Sequence, residues 1–130
     1  MKRILIISSL LVLVVAVYAY LQYNKPHRDV AGEEASMVVQ ASVLFDNYVQ
    51  DEAAANEKYL DQVMVVNGTV RNNETSESGS VVTLATSDDF FGIKCDFDEP
   101  VDLKSGQKVS VKGHCTGFAF DVILVKCTLQ

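Results

Sequence analysis

The chain has 130 residues, with eleven Lys and Arg against seventeen Asp and Glu, for a formal charge of −6. That balance repels phosphate backbones and anionic lipid faces unless the cations cluster tightly, so it argues against non-specific polyanion binding. Three cysteines, twenty and twelve residues apart, exclude a disulfide framework, a Cys-x-x-Cys redox motif and a cysteine zinc site.

Lys2 and Arg3 lead into an almost unbroken apolar run from Ile4 to Leu21, interrupted by Ser8 and Ser9. As a helix the run spans about 27 Å, close to the hydrocarbon thickness of a bilayer. Tyr18, Tyr20 and Tyr23 gather at its far end, where amphipathic rings favour the headgroup level. Pro26, within the polar stretch Asn24 to Asp29, cannot continue the helix. Residues 1–23 therefore read as a transmembrane anchor or signal segment. A retained single span is the preferred reading, and a signal peptide cleaved after Val17-Tyr18-Ala19 is the alternative. Either form exports the remainder of the chain, and no cysteine near the run offers a site for lipid attachment. The basic start keeps the N-terminus inside. The expected location is the inner (cytoplasmic) membrane, single-pass, with the domain facing the periplasm or exterior.

Residues 24–32 form a juxtamembrane linker, and residues 33–130 are enough for one domain. From Glu33 to Gln50 the apolar residues Met37, Ala41, Leu44, Phe45, Tyr48 and Val49 recur at helical intervals, which predicts one amphipathic helix. Asp51 is placed to cap a shorter helix over Glu52 to Tyr59. After Tyr59 the period changes to two. Gln62 to Arg71 reads as a strand, with Gly68 marking a bulge or sharp bend. Asn72 to Gly79, entirely polar, reads as a loop. Ser80 to Ala85, then Phe91 to Phe97, then Lys108 to His114, and finally Asp121 to Thr128 supply four more strands, with Thr116 to Phe120 turning the chain. Helices and then five short strands predict a small closed or nearly closed antiparallel barrel.

Several pieces carry a resemblance to a known family. They are Leu44-Phe45 with Tyr48, Ala53 to Tyr59 running into Val63 to Val70, Ile93 to Phe97, Gly106 to Cys115, and Asp121 to Cys127. Over roughly Ser42 to Gln130 the chain resembles the tRNA-anti-like (anticodon-binding-like) OB-fold family of small bacterial envelope proteins. The resemblance implies a mainly β domain, a five-stranded OB-fold barrel preceded by an amphipathic helix whose Leu44, Phe45 and Tyr48 plug one end. It implies nucleic-acid binding by analogy of name, and no catalytic residues. In the OB plan, segments 72–79 and 116–120 flank the usual binding face. Asn73 in the first segment, and Phe118 and Phe120 in the second, are the candidate partner-binding residues. The two phenylalanines can anchor a partner or fold back to close the barrel.

A hairpin of the last two strands sets Cys115 and Cys127 about 16 Å apart along the strand, beyond the Cα reach of about 7 Å for a disulfide. The OB plan implies instead that the third and fifth strands run side by side, which makes Cys95–Cys127 the possible bridge. The other state is three buried thiols.

The same residues bear on other chemistries. Phe90, Phe91 and Phe97 could stack bases, but Asp88, Asp89, Asp96, Asp98 and Glu99 surround them with only Lys94 in opposition, and packing is the expected role. Lys108, Lys112 and Lys126 form either a cationic stripe or a solvated sheet face. The acidic stretch from Asp96 to Asp102 lacks the glycine-turned calcium loop. His114 and Cys115, adjacent in a strand, point to opposite faces and cannot act as a nucleophile pair. The expectation is therefore a non-enzymatic, membrane-tethered binding module without cofactor or metal, whose partner is a protein or envelope component. The alternative is a single-stranded nucleic-acid-binding OB domain.

Overall fold

The computed structural model describes residues 1–24 and 30–130, with no side-chain detail for Arg3 and Leu5. Its first element, α1 (Lys2–Tyr23), is solvent-exposed along its length. Within it Ile6–Tyr23 has a mean hydropathy of 2.0, and none of that window is buried inside the protein. A helix apolar on every side, with nothing of its own chain to cover it, suits a lipid surround by length and composition.

The remaining elements are β1 (Met37–Gln40), α2 (Ala41–Gln50), α3 (Glu52–Tyr59), β2 (Val63–Ser76), β3 (Gly79–Leu84), β4 (Ile93–Phe97), β5 (Lys108–Ala119) and β6 (Asp121–Leu129). The first half of β2 pairs antiparallel with β5, from Val63↔His114 to Thr69↔Lys108. Its second half pairs antiparallel with β3 after a register shift between Val70 and Asn72. The sequence β3–β4 antiparallel, β4–β6 parallel and β6–β5 antiparallel then returns to β2. The result is a closed five-stranded mixed barrel of OB type. Closure leaves little free edge for another chain to extend.

Four local expectations are corrected. The helix begins at Ala41, not Glu33. Met37 to Gln40 is extended and lies parallel to β2, from Met37↔Met64 to Gln40↔Asn67. An open edge on the first half of β2, together with the β-branched pair Val38-Val39, outweighs the helical spacing. The polar segment 72–79 is mostly strand. β2 continues to Ser76 and only Glu77 and Ser78 turn, the polar residues reflecting a solvent-facing strand. Likewise β5 runs to Ala119, leaving Phe120 alone to make the turn. Finally, the bulge falls at Arg71 rather than Gly68. A Cβ on Gly68 would lie 2.9 Å from the Ala41 Cβ, so this glycine lets α2 start directly against the barrel.

Leu44, Phe45 and Tyr48 from α2, with Ala55 and Tyr59 from α3, are buried over one barrel end. Beneath them lie Val66, Val82, Leu84, Ile93, Val111, Val122 and Leu124. Burying a large apolar side chain of this kind stabilises by about 1.5–3 kcal/mol. The Tyr59 hydroxyl accepts from Asn47 Nδ2 at 2.7 Å, and Asp51 caps α3 by accepting from the Ala54 amide at 3.1 Å. Lys112 on β5 is nearly buried and donates to the Ala31 carbonyl at 3.1 Å, with Val30 buried beside it. The end of the linker is thus fastened to the barrel.

Candidate functional site

The outward face of the β3–β4 hairpin is the surface that OB barrels use for ligands. Val81, paired with Asp96, and Thr83, paired with Lys94, form its rows. Lys94 continues laterally to Ile123 of β6. At the barrel end carrying α2, this face meets two turns, residues 85–92 and Phe120.

These turns display aromatic rings. Phe90 is 87% exposed, Phe120 73% and Phe91 39%. Phe91 and Phe120 stack with centroids 5.5 Å apart and planes at 26°. Phe120 holds the left-handed conformation (φ 67°), uncommon for a bulky residue, and this directs the ring off the end of the β5–β6 hairpin.

The loop bearing Phe90 and Phe91 is tied down from several sides. Asp88 Oδ1 accepts from the amides of Phe90 at 2.7 Å and Phe91 at 2.8 Å. Those two bonds hold the Asp88 carboxyl below the usual carboxylate range, since they favour its charged form. The Thr86 hydroxyl donates to the Phe91 carbonyl at 2.8 Å. Arg71, set by the bulge in β2, donates to the carbonyls of Phe91 (3.2 Å) and Asp88. Ser87 donates to Asp46 of α2. Asp121 accepts from the Gly92 amide at 2.8 Å and pairs with Lys94 at 3.1 Å. The two cations at this rim, Arg71 and Lys94, are therefore both engaged within the protein.

The other sequence candidates lie elsewhere. Asn73 Nδ2 donates to the carbonyls of Val101 at 2.8 Å and Leu103 at 3.2 Å, securing the segment between β4 and β5. Phe118 is half-buried under α2, stacked on Tyr48 at 5.5 Å and edge-on to Phe45 at 6.1 Å. Only Phe120 of the three stands in the exposed cluster. Phe97 is core. Phe90 and Phe91 are exposed rather than packed, and the signal for it in the sequence is two aromatics directly after an Asp-Asp turn and before Gly92, which break the strand alternation.

Lys108, Lys112 and Lys126 make no shared stripe. Lys112 is buried against Ala31, and Lys126 pairs with Asp98 at 2.9 Å. His114 pairs with Asp61 at 3.4 Å, while Cys115 Sγ lies 3.6 Å from the Tyr48 hydroxyl on the opposite, buried side. Burial pushes the Tyr48 hydroxyl and the Cys115 thiol up from their ordinary values. Among the described residues no three His, Cys, Asp or Glu side chains converge as metal ligands.

A closed barrel of this strand order, plugged at one end by short helices, defines an OB-type domain. The chain belongs to the tRNA_anti-like family, whose pattern matches residues 1–129. A crystal structure of a putative nucleic acid-binding lipoprotein from Klebsiella pneumoniae is similar in fold. Its TM-score is 0.53 at 14% identity, covering 82% of this chain and 99% of that one. No curated protein matches the chain.

Proposed function

We propose that the domain is a non-catalytic binding module, exported and held at the inner (cytoplasmic) membrane by α1, that takes its ligand on the β3–β4 face against Phe90, Phe91 and Phe120. The carrying observation is the exposed aromatic cluster on a turn fixed by hydrogen bonds. Rigid apolar rings left in water lower the ordering cost of binding and supply contact area.

Single-stranded nucleic acid is the ligand class favoured by the family and by the description of the Klebsiella lipoprotein. Stacked phenylalanines suit bases of any sequence. Arg71 and Lys94, the cations at hand, are already held by the Phe91 and Asp88 carbonyls and by Asp121; even with both released to phosphate the log–log salt slope is only about −1.4. A protein or envelope component is the second reading, favoured by the surplus of carboxylates that otherwise opposes phosphate.

Titration of fluorescent single-stranded DNA and RNA at low and moderate ionic strength decides between them, using the wild type and a triple Phe90→Ala, Phe91→Ala, Phe120→Ala variant. Binding that the variant loses supports the stacking reading. Absence of binding at low ionic strength eliminates nucleic acid, and in-cell crosslinking from position 120 then identifies the protein partner.

A further inference from the structure

The alternation of β6 breaks near its end. Val125 pairs with His114 and Thr128 with Lys112, so Lys126 and Cys127 together oppose Gly113. Lys126 takes the left-handed conformation (φ 55°). This bulge turns Lys126 outward to its ion pair with Asp98 and turns Cys127 into the core. Without it the pleat would aim the lysine inward, an unfavourable place for an ammonium.

Room for the sulfur comes from the facing strand. A Cβ on Gly113 would lie 2.8 Å from Cys127 Sγ, closer than real atoms approach. Cys127 Sγ contacts the Leu124 carbonyl at 3.4 Å. On the neighbouring parallel strand, Cys95 is the register partner of Leu124, so its buried side chain enters the core diagonally beside that of Cys127, near enough for Cys127 to push the Cys95 thiol up. Cys115 lies across Leu124 on the other side, in β5, engaged with Tyr48.

The two facing sulfurs differ in access. Cys95 is 0% exposed, whereas Cys127 is 6% exposed and lines a surface groove of about 640 Å³ with Val30, Phe97, Val101 and Leu129. The contact with Cys127, together with burial, pushes the Cys95 thiol up, which suits it to attack second.

We propose that Cys95 and Cys127 are a disulfide-forming pair, oxidised through this groove by an external disulfide, while Cys115 remains a thiol. The Cys127 thiolate attacks the oxidant's disulfide, forming a mixed disulfide and releasing one oxidant thiol. Cys95 then gives up its proton and attacks the Cys127 sulfur, forming the internal bond and releasing the second oxidant thiol. Two electrons leave the cysteine pair and reduce the oxidant's disulfide to two thiols. In the cell this rests on the export proposed above, since an oxidising compartment supplies such oxidants.

The test uses the full chain purified in detergent under reduction, then treated with oxidised glutathione, acid-quenched, denatured, alkylated and peptide-mapped. The expected result is a Cys95–Cys127 linked peptide with alkylation confined to Cys115, a loss of two of the three free thiols. Cys95→Ala should trap a glutathione adduct on Cys127, and Cys127→Ala should leave Cys95 unmodified. Three alkylated cysteines in the wild type overturn the proposal, and so does a bridge containing Cys115. An adduct on Cys95 in the Cys127→Ala variant refutes the route through the groove. The same mapping on protein from acid-quenched cells reports the compartment. A pair that bridges with glutathione but is reduced in cells supports the pair and counts against export.

Discussion

Phe118 and Phe120 are two residues apart and lead opposite lives. Phe118 sits in the aromatic plug with Phe45, Tyr48 and Tyr59, under α2. Phe120 stands in the open rim with Phe90 and Phe91. Both groups occupy the same end of the barrel, linked by the Ser87–Asp46 hydrogen bond. The plug removes apolar area from water and so stabilises the fold. The rim leaves it in water, held by hydrogen bonds donated by Arg71 and Thr86 and accepted by Asp88 and Asp121. Apolar residues displayed on polar supports are the signature of contact rather than of core.

The sharpest way to break this contrast is to truncate each group. Phe45→Ala should cost about 3–5 kcal/mol in urea unfolding, and Phe120→Ala within about 0.5 kcal/mol. Equal losses would show the rim to be structural.

A cavity-neutral perturbation comes next. Gly68→Ala forces a Cβ to 2.9 Å from Ala41 and should cost about 1–3 kcal/mol by prising α2 from the barrel. Ligand contact through Phe120 should persist in the folded fraction.

Arg71→Met removes the donor that holds the carbonyls of Asp88 and Phe91. A loss of about 1 kcal/mol in stability is expected, with ligand affinity falling as far as in Phe91→Ala. Unchanged affinity would mean that the rim needs no preorganisation.

The smallest effect is set by pH. Asp88 has its folded pKa lowered by the Phe91 and Phe90 amides. Its contribution is therefore fully present above the unfolded value and is lost as pH falls through the folded value, below the usual carboxylate range. Amide NMR shifts of Phe90 and Phe91 should move in that acid window while those of α2 stay fixed, and Asp88→Asn should abolish the transition.

The plug was legible in the sequence because Leu44, Phe45 and Tyr48 share one helical face, and the barrel because Val63 to Val70 and Ile93 to Phe97 alternate. Hidden from it was anything decided by pairing. Met37 fits a helical spacing with Ala41 and a strand alternation with Val39 equally, and only the free edge of β2 chooses between them. Asn72 to Ser76 is polar because its outward face meets water, which composition cannot separate from a loop. The inward turn of Cys127 depends on a bulge opposite Gly113, and bulges leave no periodic mark. Of the residues expected to meet a partner, Phe120 stands in the rim, while the side chains of Asn73 and Phe118 are occupied inside the domain.

The fastening of Ala31 to Lys112 also sets a leash length. Val30 stands seven positions beyond Tyr23, and a chain of that number stretches at most about 25 Å. Were α1 retained in lipid, as proposed, the barrel would stay within about that distance of the headgroups, and whatever it captures would have to come to the membrane's edge.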